Sequence, residues 1–188
     1  NLQGDMPNIE PKIIKNLINY MQQGKCEVGT LASEIKNNFE LEDENIVKVL
    51  VKEKLKEGIF SEALDFLRVN PGKDHKTYHH VGIYAFTSIA LTKYVSLKRS
   101  KLELNRKLEQ LRAMENGMSI HVGYINSSPL SVDTEKDLFR IKKLSEMSGY
   151  RGVNEVCGLP IRVRPLRSER RNAEDYLSRM FGFKWYVQ

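Results

Sequence analysis

Cysteine is nearly absent from this sequence: only Cys26 and Cys157 occur in 188 residues. Neither has partners at metal-ligand spacing, and with no secretory leader a disulfide between them is not expected. Both read as free thiols. Long apolar runs are also missing. None approaches the roughly 18 residues of a membrane span, and no basic-then-apolar stretch reads as a signal peptide. A membrane partner is therefore not expected, and the expected location is the cytoplasm. No catalytic triad, zinc spacing or phosphate-cradling glycine loop occurs either.

What is present describes a globular chain: 40% hydrophobic and 29% charged residues, enough for one full domain or a domain with an appendage. The net charge is +6, unevenly spread. Residues 1–150 hold 17 Lys and 5 Arg, whereas 151–188 hold 1 Lys and 7 Arg against four acidic residues, so that this segment carries +4 of the total. Folding does not require such a switch from lysine to arginine, which points to a different origin for the last segment. The main body is then close to neutral, which argues against a nucleic-acid partner.

Along the chain, Pro11 leads a helix with apolar residues at 13, 14, 17, 18 and 21. Val28–Ile35 and Asn45–Val51 read as strands, Gly58–Ser61 as a short strand, and Leu67–Thr77 as a loop. His79–Phe86 is a strand, Thr87–Ser96 a helix, and Ser100–Asn116 one charged amphipathic helix with Gly117 at its C′ position. Ser119–Asn126 returns as a strand, and Asp133–Met147 is a helix with Leu138, Ile141 and Leu144 on one face. Strands alternating with helices indicate an α/β domain with a largely parallel sheet. The composition shifts at Ser148-Gly149-Tyr150, which divides the chain into a domain of 1–148 and an arginine-rich extension of 149–188.

Two carboxylates share a setting. Asp5 follows a presumed strand and a glycine, and Asp133 lies between an apolar stretch and a helix. Asp133 or Thr134 could simply cap that helix. The alternative is that both carboxylates meet at one Mg²⁺, which takes one or two protein carboxylates and completes its shell with phosphate and water. Spacing alone leaves both readings open. In the strand, His80, Gly82 and Tyr84 alternate with Val81, Ile83 and Ala85 and so share a face. A lone strand histidine is more often structural than a ligand. Glu109, Gln110 and Arg112 by themselves are an ordinary solvated helix face.

Six stretches taken together carry a family resemblance: NLQGDMPNIEP (1–11), TLASEI (30–35), NIVKVLV (45–51), HHVGIYAF (79–86), SKLELNRKLEQLRAMENG (100–117) and SPLSVDTEKDL (128–138). The chain resembles the CMP-Kdo synthetases, the 3-deoxy-manno-octulosonate (Kdo) cytidylyltransferases of lipopolysaccharide biosynthesis, from Asn1 to about Met147. The resemblance implies a nucleotidyltransferase fold like that of the nucleotide-diphospho-sugar transferases, a mixed sheet flanked by helices, here partial and followed by a short basic C-terminal extension. It implies that Kdo attacks the α-phosphate of CTP, that Asp5 and Asp133 hold Mg²⁺, and that Gln3, His80, Tyr84, Glu109 and Gln110 line the sugar pocket. In that family about ninety residues, with a basic phosphate-holding loop, precede the QGD motif. This chain is therefore expected to be a C-terminal portion that is inactive without a separately encoded N-terminal half, and a homodimer is open to it.

Departures from the family pattern also occur. FSEALDF (60–66) places Glu62 where the family commonly has a cation, and Lys101 and Arg106 replace a proline and an acidic residue. The alternatives to an enzyme are a non-catalytic remnant, or a small basic protein that binds nucleic acid through residues 150–188.

Overall fold

The computed structural model describes residues 6, 9–72, 76–126, 128–129, 139 and 143. By its contacts the chain divides into a unit of residues 16–128 and a second of residues 1–15 with 129–188. The expected boundary at 148/149 lies outside the described residues, as does most of the helix expected at 133–147, of which Phe139 and Lys143 are described and helical.

Among the described residues the elements run in the order α1 (Pro11–Gln22), β1 (Val28–Ser33), α2 (Asn38–Glu42), β2 (Lys48–Val51), β3 (Phe60–Leu67), β4 (Thr77–Phe86), α3 (Ser88–Ser96), α4 (Lys101–Arg106), α5 (Gln110–Glu115) and β5 (Ile120–Ile125). The fold is mixed α/β, with helices flanking a sheet that closes on itself in the order β1-β4-β2-β3-β5. The expectation of a largely parallel sheet is corrected. Among the described strands β1 and β5 run parallel, while β1–β4, β2–β3, β2–β4 and β3–β5 are antiparallel. The reason lies in the connections. The connections at residues 52–59 and 68–76 are too short for a parallel crossover, which takes about a dozen residues or more.

Every residue of β1 is buried, because both of its faces are covered. Its outer face receives the second half of α1. A Cβ on Gly29 would stand 2.7 Å from Met21 Sδ and 2.8 Å from Leu17 Cδ1, so glycine is what allows the helix this close. Beside it, Tyr20 stacks on Phe60 at 3.8 Å between ring centroids, with Phe60 lying over Gly123. The core joins Val28, Val49, Phe66, Tyr78, Ile120 and Val122 with Leu108 and Leu111. Each such side chain stabilises the fold by about 1.5–3 kcal/mol on burial.

Two further expectations change. β3 continues to Leu67 beyond the short strand expected at 58–61, its alternation blurred by the exposed Leu64. The single helix expected over 100–116 is two helices. Lys107 adopts a left-handed conformation (φ 56°, ψ 42°) that ends α4, and α5 restarts after Leu108 and Glu109. The far end is as expected: Gly117 (φ 69°) and Met118 donate to the carbonyls of Met114 and Ala113, both at 3.0 Å. That is a helix stop in which the left-handed residue is a glycine.

Candidate functional site

The β1–β4 ladder slips where the candidate residues lie. Thr30 pairs with Tyr84 but the next residue, Leu31, pairs with Val81, so that Gly82 and Ile83 bulge out of register. Such a bulge re-aims side chains and releases backbone groups that need other partners. Thr30 supplies one. Its Oγ1 lies 2.8 Å from the carbonyl of Ile83 and 3.3 Å from that of Val81, and 2.9 Å from His80 Nε2. A hydroxyl has one hydrogen. With that hydrogen donated to a carbonyl, His80 must donate from Nε2 to Thr30. His80 Nδ1 is then a bare lone pair, with no hydrogen-bond partner among the described residues.

Burial fixes the charge of that ring. His80 is 8% exposed, and desolvation, with a smaller contribution from neighbouring His79, pushes its pKa down to about 3. The ring packs edge-on against Phe66 at 5.0 Å and contacts the Tyr84 ring at 5.5 Å. Burial also raises the pKa of the Tyr84 hydroxyl, as do its neighbours Tyr94 and Glu109, so the phenol stays neutral. The bulge thus ends the strict alternation expected for β4 while leaving His80 and Tyr84 in contact.

Glu109 and Gln110 arrive from α5. The exposed Glu109 occupies the cap position of that helix without a side-chain cap bond, and its backbone carbonyl accepts from Tyr94 Oη at 3.1 Å. Gln110 is buried, 9% exposed, and its amide has no hydrogen-bond partner among the described residues. The structure therefore brings His80, Tyr84 and Glu109 into one electrostatic neighbourhood, with Gln110 next to Glu109. Together they offer a neutral nitrogen acceptor, a phenol, a carboxylate and an amide, a set suited to a ligand rich in hydroxyls.

Gln3, Asp5 and Asp133 lie outside the described residues. Among the described residues no group of three or more His, Cys, Asp or Glu could hold a metal ion. Glu62 is exposed and pairs with Lys52 at 3.4 Å. Arg106, unexpected by family pattern, holds both oxygens of Asp65 at 2.7 and 2.9 Å. Other buried ionisable groups are committed elsewhere. Lys48, fully buried, donates to the carbonyls of Asp43 (2.5 Å) and Arg68 (2.8 Å). Burial pushes the Cys26 thiol up to about 11, far from a reactive thiolate. A shallow groove of about 310 Å³ between Asn37 and Thr77 includes none of the candidate residues.

Thr30 was missed by sequence reasoning, because a threonine in an apolar strand carries no signal until the bulge is seen. Glu103 was missed too. It is 1% exposed, and the guanidinium of Arg112 holds its carboxyl well down, to about 2. The capping pattern Ser100-x-x-Glu103 was the available signal.

A family model described as Cytidylyltransferase matches residues 1–120. Among curated proteins, the 3-deoxy-manno-octulosonate cytidylyltransferase of Bartonella tribocorum is 41% identical over 149 residues, covering 77% of this chain and 59% of the relative. The protein of that name from Rhodopseudomonas palustris is 43% identical over 139 residues, covering 73% and 56%. A solved structure of CMP:2-keto-3-deoxy-manno-octonic acid synthetase complexed with CTP matches with a TM-score of 0.70 at 30% identity, covering 78% of this chain and 61% of that one. The chain spans about three fifths of the length of the curated relatives it matches. Among the described residues no helix is long and apolar enough to cross a membrane.

Proposed function

The chain belongs to the cytidylyltransferase family, and on that premise we propose that it carries the sugar-acid side of a CMP-Kdo synthetase. In the reaction, the anomeric hydroxyl oxygen of Kdo forms a bond to the α-phosphorus of CTP. The bond from that phosphorus to the bridging oxygen breaks, pyrophosphate leaves with the electron pair, and the hydroxyl proton passes to solvent. The products are CMP-Kdo and pyrophosphate, made in the cytoplasm for lipopolysaccharide.

One observation carries this reading: His80, buried and neutral, packs its ring 5.5 Å from that of Tyr84, and with Nε2 given to Thr30 its Nδ1 lone pair is left for a ligand donor. A buried polar atom without a partner costs about 1–3 kcal/mol. A sugar hydroxyl donating to His80 Nδ1 removes that cost, and Kdo hydroxyls paired with the buried Gln110 amide remove a second one. Glu109 would accept from further hydroxyls. These groups bind and orient the sugar acid, so that its anomeric oxygen meets the nucleotide in a fixed geometry.

By the family resemblance, Asp5 and Asp133 would hold Mg²⁺ and Gln3 would join the pocket. When bound, the cation neutralises charge on the transferring phosphate. The triphosphate of CTP would be held by an N-terminal portion, and a homodimer is compatible with this reading. The assay supplies the purified chain with CTP, Kdo and Mg²⁺, alone and together with the N-terminal portion of a relative, and follows CMP-Kdo and pyrophosphate. Product is expected only in the second arrangement, reduced at least ~10-fold by His80→Phe, which keeps the ring and removes the acceptor. No product in either arrangement, or product indifferent to His80→Phe, overturns the reading.

A further inference from the structure

We infer that Glu103 is a positioning residue: acting through Arg112 and Tyr94, it holds the Glu109–Gln110 corner in place for the sugar acid. The inference rests on the reading of that corner as part of the Kdo pocket.

The first link is a carboxylate with every acceptor position filled. Glu103 Oε1 accepts from Arg112 Nη2 at 2.6 Å and from Arg99 Nε at 3.0 Å. Its Oε2 accepts from Arg112 Nε at 2.8 Å and from the Ser100 backbone N–H at 3.2 Å. The two-point clasp fixes the plane of the Arg112 guanidinium. That plane lies over Tyr94, 4.9 Å from the ring centroid. Tyr94 Oη in turn donates to the backbone carbonyl of Glu109. One buried carboxylate on α4 thus reaches α5 directly, α3 through the guanidinium, and the Glu109 backbone through the phenol.

Leu108 and Leu111 anchor this corner in the core, and the tether adds a polar constraint on the Glu109 backbone that α5 does not supply by itself. The break at Lys107 uncouples α5 from α4. α5 is six residues long, and Glu109 contributes no capping bond. So short a helix has little stability of its own. Its first turn is closed by short-range bonds, from the N–H of Leu111 to Leu108 O at 3.2 Å and of Arg112 to Glu109 O at 3.1 Å. A buried ion pair is weak support for stability, since well-packed apolar residues often serve as well; fixing one arrangement among several is its better-attested use. Glu103 and Arg112 lie outside the proposed pocket, and the contact given for the Tyr94 hydroxyl is the Glu109 carbonyl.

The test uses the ¹⁵N-labelled full chain, as wild type, Tyr94→Phe and Glu103→Gln, and reads two quantities. One is amide exchange at Leu111 and Arg112; the other is affinity for Kdo. Tyr94→Phe keeps the ring over Arg112 and removes one hydrogen bond, so its thermal midpoint should stay near that of wild type. Exchange at Leu111 and Arg112 should accelerate by about 5- to 10-fold and the Kd for Kdo should rise by a similar factor, while exchange in β1 and β4 is unchanged. Glu103→Gln should do the same more strongly. Unchanged exchange and affinity in Tyr94→Phe overturn the inference, as does an effect of Glu103→Gln spread evenly over the barrel. A wild-type chain that takes up no Kdo refutes the sugar pocket instead, and the exchange readout still decides whether the tether exists.

Discussion

His80 illustrates how much a single bulge decides. The ring sits where Thr30, donating to the Ile83 carbonyl, can accept from Nε2, and burial keeps it neutral well below the usual histidine range. Its folded pKa lies below its unfolded value of about 6.5. The unfolded chain therefore binds the extra proton more readily, and stability falls as pH drops from about 6.5 toward 3. At pH 5, ring ¹⁵N shifts should show His80 still neutral and protonated on Nε2; a ring titrating near 6.5 would contradict the assignment. Glu103 acts over a lower window. Its carboxylate is favoured in the fold, so the stability it supplies is complete above the unfolded value of about 4.5 and is lost as pH falls through about 2. Urea midpoints measured between pH 2 and 6 should show a flatter acid limb for Glu103→Gln than for wild type. At this scale the sequence pointed to His80, Tyr84, Glu109 and Gln110 through the family resemblance. Thr30 and Glu103 were hidden because their roles depend on contacts made across the fold.

Among the elements, periodicity located most helices and strands, and local backbone events escaped it. The apolar spacing of 100–116 is helical throughout, and nothing in it marks Lys107 as left-handed. A side chain there costs roughly 1–2 kcal/mol relative to the right-handed region. Lys107→Gly relieves that strain but adds freedom to the unfolded chain, so it should stabilise by a net of roughly 0.5–1 kcal/mol in chemical denaturation. A loss of stability would show that the Lys107 side chain itself holds the break. The two close-approach glycines offer a second comparison. A Cβ on Gly123 would come within 2.6 Å of Phe60 ring atoms, and that ring is already stacked on Tyr20. The groups facing Gly29 are the flexible ends of Met21 and Leu17. Gly123→Ala should therefore cost roughly 2–3 kcal/mol and Gly29→Ala roughly 1 kcal/mol, judged by their unfolding midpoints. Equal costs would mean that Phe60 moves aside easily.

For the whole molecule, the α/β class and the family could be read from the sequence, while closure of the sheet could not. β2, β3 and β4 alternate weakly and are joined by short connections, so their antiparallel pairing follows from connection length, which an α/β pattern does not report. The resemblance to CMP-Kdo synthetases named the candidate residues, and the structure describes four of them, His80, Tyr84, Glu109 and Gln110. β4 delivers His80 and Tyr84, and the broken helix delivers Glu109 and Gln110. The most direct test of that joint pocket is a map of Kdo-induced chemical-shift changes on the ¹⁵N-labelled chain, at a pH near 7 where His80 is neutral. The account predicts changes concentrated at Thr30, His80, Tyr84, Glu109 and Gln110, saturating together with one Kd and abolished by His80→Phe. No changes at these residues, or changes confined to the groove at Asn37 and Thr77, would contradict it.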